Sequence, residues 1–172
     1  MRIFTIGHST RPIEEFIGLL VAQGITHLVD IRTIPRSRHN PQYEQDALRE
    51  SLRHEDIEYH YLKALGGLRS SHKDSPNAGW RNASFRNYAD HMQTDEFRHG
   101  IDELLRIARR GPTAIMCAEA VPWRCHRSLV GDALLVRGVT VLDIINAGQP
   151  SAHKLTSFAV VDGLDITYPA PG

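Results

Sequence analysis

The alternation between Ile3 and Arg32 constrains the fold more than any other feature of the chain. Ile3-Phe4-Thr5-Ile6 is a short apolar run that reads as a buried strand and stops at Gly7-His8-Ser9. Ser9 or Thr10 is placed to cap a following helix, with Pro12 in its first turn and Glu14 and Glu15 close behind. Phe16, Leu19 and Leu20 give that helix an apolar face, and Gly24 ends it. His27-Leu28-Val29-Asp30-Ile31-Arg32 then reads as a second strand. Strand, helix and strand in about 30 residues make a βαβ unit, whose strands pair in parallel through a right-handed crossover.

The same rhythm continues. Pro35 and Pro41 break the next stretch into a loop, and a helix is expected from Tyr43 to His54. A third strand covers Ile57 to Leu62, helices cover Ser84 to Gln93 and Asp95 to Arg109, and a fourth strand covers Thr113 to Cys117. A helix from Cys125 to Arg137, stopped by Gly138, leads to a fifth strand from Thr140 to Ile145. Gly66 to Trp80 reads as irregular, and loops beyond about 12–15 residues are usually functional or mobile. The tail after Gly148 carries weaker signals, among them a hairpin at Asp162-Gly163. The pattern predicts one domain over residues 1–172, an α/β three-layer sandwich with a mostly parallel sheet of about five strands. It is Rossmann-like without the dinucleotide fingerprint, because no GxGxxG follows the first strand. No P-loop, HExxH or GxSxG occurs either.

A chain of 172 residues can bury a sizeable core. No apolar run approaches the roughly 20 residues of a membrane span. The opening residues lack the charged-then-apolar order of a signal peptide. The expectation is a cytoplasmic protein with no membrane partner, whose two cysteines are reduced thiols. Net charge is zero, which argues against a whole-surface nucleic-acid binder. Yet 17 arginines stand against 3 lysines, with Arg32, Arg36 and Arg38 in one loop and Arg69, Lys73, Arg81 and Arg86 in another. Most of that bias reads as genome composition. Some of these arginines are candidates to grip carboxylate or phosphate bidentately.

The chemistry concentrates in Met116 to Arg127, where both cysteines lie between a strand end and a helix start. Open α/β sheets bind ligands at that position. Cys125, beside His126 and Arg127 near a helix N-terminus, has the setting that lowers a thiol's pKa and suits a nucleophile or redox thiol. Cys117 ends an apolar strand and fits a buried, inert cysteine better. A phosphatase-type loop needs five residues between Cys and Arg. Here six separate Cys117 from Arg124, and Pro122 removes an N–H. Without a paired CxxC, a structural zinc on these residues is disfavoured, and no metal site is expected. Glu119 is a candidate general acid or base, or an orienter of His126. His8 ends the first strand beside a helix start, Asp30 and Arg32 end the second, and Tyr61 ends the third before Gly66-Gly67. His27, His54, His91, His99 and His153 read as ordinary surface or satisfied histidines.

Thr5-Ile6-Gly7-His8-Ser9, Val29-Asp30-Ile31-Arg32 with Pro35 and Ser37-Arg38, Leu65-Gly66-Gly67, and Cys117-Ala118-Glu119 with Pro122 and Cys125-His126-Arg127 form a set. Through them the chain resembles the DUF488 family, a domain of unknown function, over about residues 3 to 146. The C-terminal extension, 147–172, lies outside the resemblance. The resemblance implies a compact α/β fold and groups these residues on one rim, without implying a reaction.

The leading expectation is a small enzyme acting on an anionic, phosphate- or nucleotide-containing substrate. Cys125, His126, Glu119 and His8 are its candidate catalytic residues. Arg32, Arg38, Arg127, Ser9, Asp30, Tyr61, Gly67 and Cys117 are its candidate substrate-binding residues. One alternative is a nucleotide or nucleic-acid binding module, with basic loops and with Tyr43, Tyr61 and Trp80 stacking on bases. Another is a thiol redox or metal-responsive protein using Cys117 and Cys125. A purely structural reading makes Asp30, Arg32 and Glu119 a buried ion network that fixes the loops. No cofactor or oligomeric state is indicated.

Overall fold

The computed structural model describes residues 1–171. The apolar runs become β1 (Arg2–Gly7), β2 (His27–Asp30), β3 (Glu58–Tyr61), β4 (Thr113–Cys117) and β5 (Thr140–Ile144). They pair in parallel in the order β3-β2-β4-β1-β5. A short β6 (Ser151–Ala152) adds antiparallel to β5, so the sheet has six strands, one more than expected. The helices are α1 (Ile13–Ala22), α2 (Gln45–Arg53), α3 (Ala83–His91), α4 (Asp95–Ala108) and α5 (Arg127–Leu135). Among the described residues no helix is long and apolar enough to cross a membrane.

Strand alternation divides the core in two, which makes the sandwich three-layered. On one face Phe4, Ile6, Leu28 and Met116 pack against Phe16 and Leu20 of α1 and Leu48 and Leu52 of α2. On the other face Ile3, Val29, Ile115 and Val141 pack against Ile101 and Leu104 of α4 and Leu129 and Leu134 of α5. The chain therefore leaves β1 and β2 towards one face and β4, lying between them, towards the other. A crevice opens where neighbouring strands diverge in this way, beyond their carboxyl ends.

Local details depart from the sequence reading in three places. Pro12 sits at the start of α1, and neither Ser9 nor Thr10 caps it. Ser9 instead adopts the left-handed region, at φ 47°, and its N–H donates to the Ala118 carbonyl at 2.9 Å. The helix after β4 begins at Arg127 rather than Cys125, because Pro122 opens a turn of 3₁₀ helix over Pro122–Arg124 and Cys125 is extended. The expected hairpin is present as β7 (Val160–Asp162) and β8 (Asp165–Thr167), with Gly163 at φ 64° in its two-residue loop. A glycine at the first loop position suits that turn.

The long segment from Gly66 to Trp80 holds no helix or strand, yet it is anchored. Asn77 is fully buried; its amide donates to Asp90 at 2.7 Å and its carbonyl oxygen accepts from the Tyr168 N–H at 2.9 Å. Trp80 packs against Phe85, Phe158 and Tyr168. The C-terminal tail thus closes over the loop.

Candidate functional site

The polar residues at the strand ends converge beside β4. The His8 N–H donates to the Cys117 carbonyl at 3.0 Å, and the Ile31 N–H donates to the Met116 carbonyl at 3.0 Å. The residues that follow β1 and β2 are thereby stitched to the end of β4. Gly7 permits the closest approach: a Cβ there would fall 1.5 Å from the Glu119 carbonyl oxygen. Only glycine leaves room for that crossing.

The 3₁₀ turn folds the chain back over the end of β4 and delivers Cys125 to Cys117. The two sulfur atoms are joined as a disulfide across a sequence separation of 8. This corrects the expectation of reduced thiols. The two cysteines lie far closer than a straight strand-to-helix connection would bring them. Both are almost fully buried, and both face a cavity of about 370 Å³.

Each sulfur has a donor aimed at it. The Arg127 guanidinium donates from Nη1 to Cys117 Sγ at 2.9 Å, and the Arg127 backbone N–H donates to Cys125 Sγ at 3.4 Å. His126 lies beside Cys125, with Nδ1 3.5 Å from its Sγ. The other ring nitrogen donates to the Ile31 carbonyl, Nε2 to oxygen 2.9 Å. A carbonyl only accepts, so Nε2 carries the hydrogen of the neutral ring and the Nδ1 lone pair faces the sulfur. Burial, with the Arg127 and Arg69 charges, holds His126 down to about 4 against the opposing bond to Ile31. Gly67 is what admits the ring: a Cβ there would meet Nδ1 at 2.6 Å.

Arg127, expected to bind substrate, is fully buried. Its other donors reach the Glu119 carbonyl at 2.5 Å, the Ala120 carbonyl at 3.0 Å and Thr5 Oγ1 at 3.2 Å. Thr5 in turn donates to Asp143 at 2.5 Å. Burial pulls Arg127 down to about 10, with Asp143 and Glu119 opposing. It organises the loop after β4 from within.

Asp30 and Arg32 form a buried bidentate pair, at 2.8 to 3.2 Å. Tyr59 donates to Asp30 at 2.5 Å. Arg32 Nη1 lies 3.5 Å from His8 Nε2, while His8 Nδ1–H donates to the Ser9 carbonyl at 2.8 Å. His8 stacks on Tyr43 with ring centres 4.2 Å apart. Burial brings its pKa down to about 4, assisted by Arg32 and opposed by the Ser9 bond and Asp30. This brace matches the structural reading of Asp30 and Arg32. Glu119 does not join it, since its side chain is exposed at the rim.

The cavity is lined by Cys117, Cys125, His126, Gly67, Glu119 and Arg32, and additionally by Arg36 and Arg124. Ile34, Leu68 and Phe85 form its apolar part. Arg38 is exposed and outside this lining. His8 and Ser9 line a second hollow, which shares Ala118, Glu119 and Arg124 with the first. Tyr61 donates to the Thr33 carbonyl at 2.5 Å, and Tyr43 is buried with its hydroxyl on the Arg11 carbonyl at 2.6 Å. With Trp80 in its aromatic cluster, the three rings expected to stack on bases are engaged within the fold. Tyr59 and Asp143 were not anticipated as part of this site, Arg124 was weighed only for a phosphatase-type loop, and Thr5 entered only through the family resemblance. Thr5 and Asp143 did leave a signal, as polar residues inside apolar strands.

No curated protein and no solved structure matches the chain. The family described as domain of unknown function DUF488 matches residues 12–134, from the approach to α1 through most of α5. That span takes in Asp30, Arg32, Gly67, Cys117, Glu119, Cys125, His126 and Arg127. The chain belongs to the DUF488 family.

Proposed function

We propose that this protein is a thiol-dependent enzyme whose reduced form takes an anionic substrate into the rim cavity, with Cys125 as nucleophile and His126 as its base. The observation that carries the reading is the tautomer lock: Ile31 holds the Nε2 hydrogen, so Nδ1 is free to accept the Cys125 proton 3.5 Å away. An external dithiol opens the Cys117–Cys125 disulfide, supplying two electrons and two protons. The Cys125 thiol passes its proton to Nδ1 only as its sulfur attacks the electrophilic centre, because burial keeps the resting His126 ring neutral. The new bond to sulfur forms as the bond to the leaving group breaks, and the imidazolium returns its proton to the leaving group. Water then releases the product from Cys125. Arg36 and Arg124 are exposed at the cavity and are the groups available to the substrate's negative charge. Arg32 is largely committed to Asp30.

A second reading, dithiol redox exchange, is favoured by the contact of the two sulfurs. There the Cys125 thiolate attacks a substrate disulfide and displaces one thiol. Cys117 then closes the protein disulfide and displaces the other, so the substrate gains two electrons and two protons.

The deciding experiment alkylates the reduced protein with anionic iodoacetate and neutral iodoacetamide, with and without phosphate or nucleotides. Cys125 reacting faster than a free thiol, with iodoacetate favoured and anions protecting, supports an anion-binding thiolate. Slow reaction insensitive to probe charge and to anions overturns it. The Cys117→Ser variant separates the two readings, because only exchange leaves a disulfide-linked adduct trapped on Cys125.

A further inference from the structure

At the opposite end of the sheet from the cysteines, His27 opens β2 and pairs in register with Glu58, the first residue of β3. His60 lies two residues further along β3 and so shares a face with Glu58. The three side chains converge on one another. His27 Nδ1 lies 3.0 Å from His60 Nε2 and 3.4 Å from Glu58 Oε2, and His60 Nε2 lies 3.9 Å from the same carboxylate oxygen.

We propose that His27, Glu58 and His60 form a binding site for a divalent cation of the zinc class. The argument is the size of the triangle. The point equidistant from its three corners lies about 2.0 Å from each, which is the bond length zinc makes to imidazole nitrogen and carboxylate oxygen. A hydrogen bond between the two histidines needs only their mutual approach. It does not require a carboxylate oxygen to sit at the third corner of a coordination-sized triangle.

The donor set is of the right type. Two imidazoles and one carboxylate are the ligands of zinc sites that keep a fourth position open. The surroundings fit as well. The His27 and His60 side chains are largely buried, at 9% and 15% exposure, while Glu58 is half exposed at 49% and leaves a side open to water. Arg110 donates to Glu58 Oε2 at 3.1 Å and holds the carboxylate in place from outside, as outer partners of ligands commonly do. Glu103, paired with Arg106, is the other acid close enough to act on His60. Because the ligands come from neighbouring strands, the cation would clip the edge strand β3 to β2.

The test is calorimetric titration of the chelator-treated full chain with Zn²⁺, alongside Co²⁺ followed by absorption. One ion per chain is expected, with cobalt ligand-field bands and no thiolate charge-transfer band. The double variant Cys117→Ser/Cys125→Ser should bind equally well. Glu58→Gln, at a half-exposed position, and His60→Ala should each weaken binding about tenfold or more. Wild-type melting should rise with Zn²⁺ and fall back with chelator, which Glu58→Gln should blunt. Absence of stoichiometric binding overturns the proposal, as does binding lost in the double cysteine variant and kept in Glu58→Gln and His60→Ala.

Discussion

His153 should make the stability of this protein fall as the solution turns alkaline. Its Nε2 lies 2.9 Å from Asp132 and its Nδ1 3.7 Å from Asp143, with the side chain only 10% exposed. Burial alone would depress its pKa. The hydrogen bonds and charges of the two aspartates outweigh burial and push it from 6.5 up to about 9. The folded state therefore holds the proton more tightly than the unfolded chain does. The resulting stabilisation is complete below pH 6.5 and is lost as pH rises through about 9. At about 1.4 kcal/mol per pH unit, the gap is worth about 3 kcal/mol. For a chain of this length that corresponds to roughly 6–12 °C in melting temperature. Urea denaturation of the oxidised protein between pH 6 and pH 10 measures it directly, with His153→Gln as the reference that cannot titrate. The wild-type profile should descend across this range while that of the variant is flatter by about 3 kcal/mol. Parallel profiles, or a His153 ring resonance titrating near 6.5 in the folded protein, would refute the reasoning.

Three further outcomes are expected. Gly67→Ala should push the His126 ring off Cys125 and slow alkylation of reduced Cys125 about tenfold or more, with far-UV circular dichroism unchanged. Asp30→Asn should leave the buried Arg32 without its charge partner and cost about 3–5 kcal/mol in urea denaturation, so a loss below about 1 kcal/mol would count against the brace. His8 and His126, both held down to about 4, should stay neutral in the folded protein until well below pH 6. Their proton uptake on unfolding should then lower stability as pH drops from 6.5 towards 4, and ring titrations by NMR would locate both midpoints.

Much of the fold was legible because its signals are local. Ile3 to Ile6 and Thr113 to Cys117 are apolar runs with punctuation at both ends, and they became β1 and β4. Strand order was not legible. Placing β4 between β1 and β2 depends on which faces the helices cover, and no short window of residues records that. The rim was legible for the same local reason, since strand ends are easy to find. Its interior was not. Cys117 meets Cys125 only because Pro122 starts a 3₁₀ turn that folds the loop back. Arg127 read as a substrate-binding cation because the pattern gave no sign that Thr5 and two carbonyls would surround it. Likewise His27 and His60 are 33 residues apart, and only strand register brings them together.

Asp132 carries a consequence for how the molecule is made. It sits on α5, fully buried, five residues after the arginine that holds Cys117. Its carboxylate accepts from His153, the Thr156 N–H and the Tyr168 hydroxyl, all contributed by the tail beyond the DUF488 match. A chain still being synthesised would have β1 to β5 complete while Asp132 lacked every one of these partners. Domains begin folding during synthesis, but this one can complete its buried polar network only after Tyr168 has emerged. Until then the sheet can form, while the helix that presents Arg127 to the cysteines carries a carboxylate without its partners. The final packing of the rim therefore waits on residues 153–168, which follow the last parallel strand.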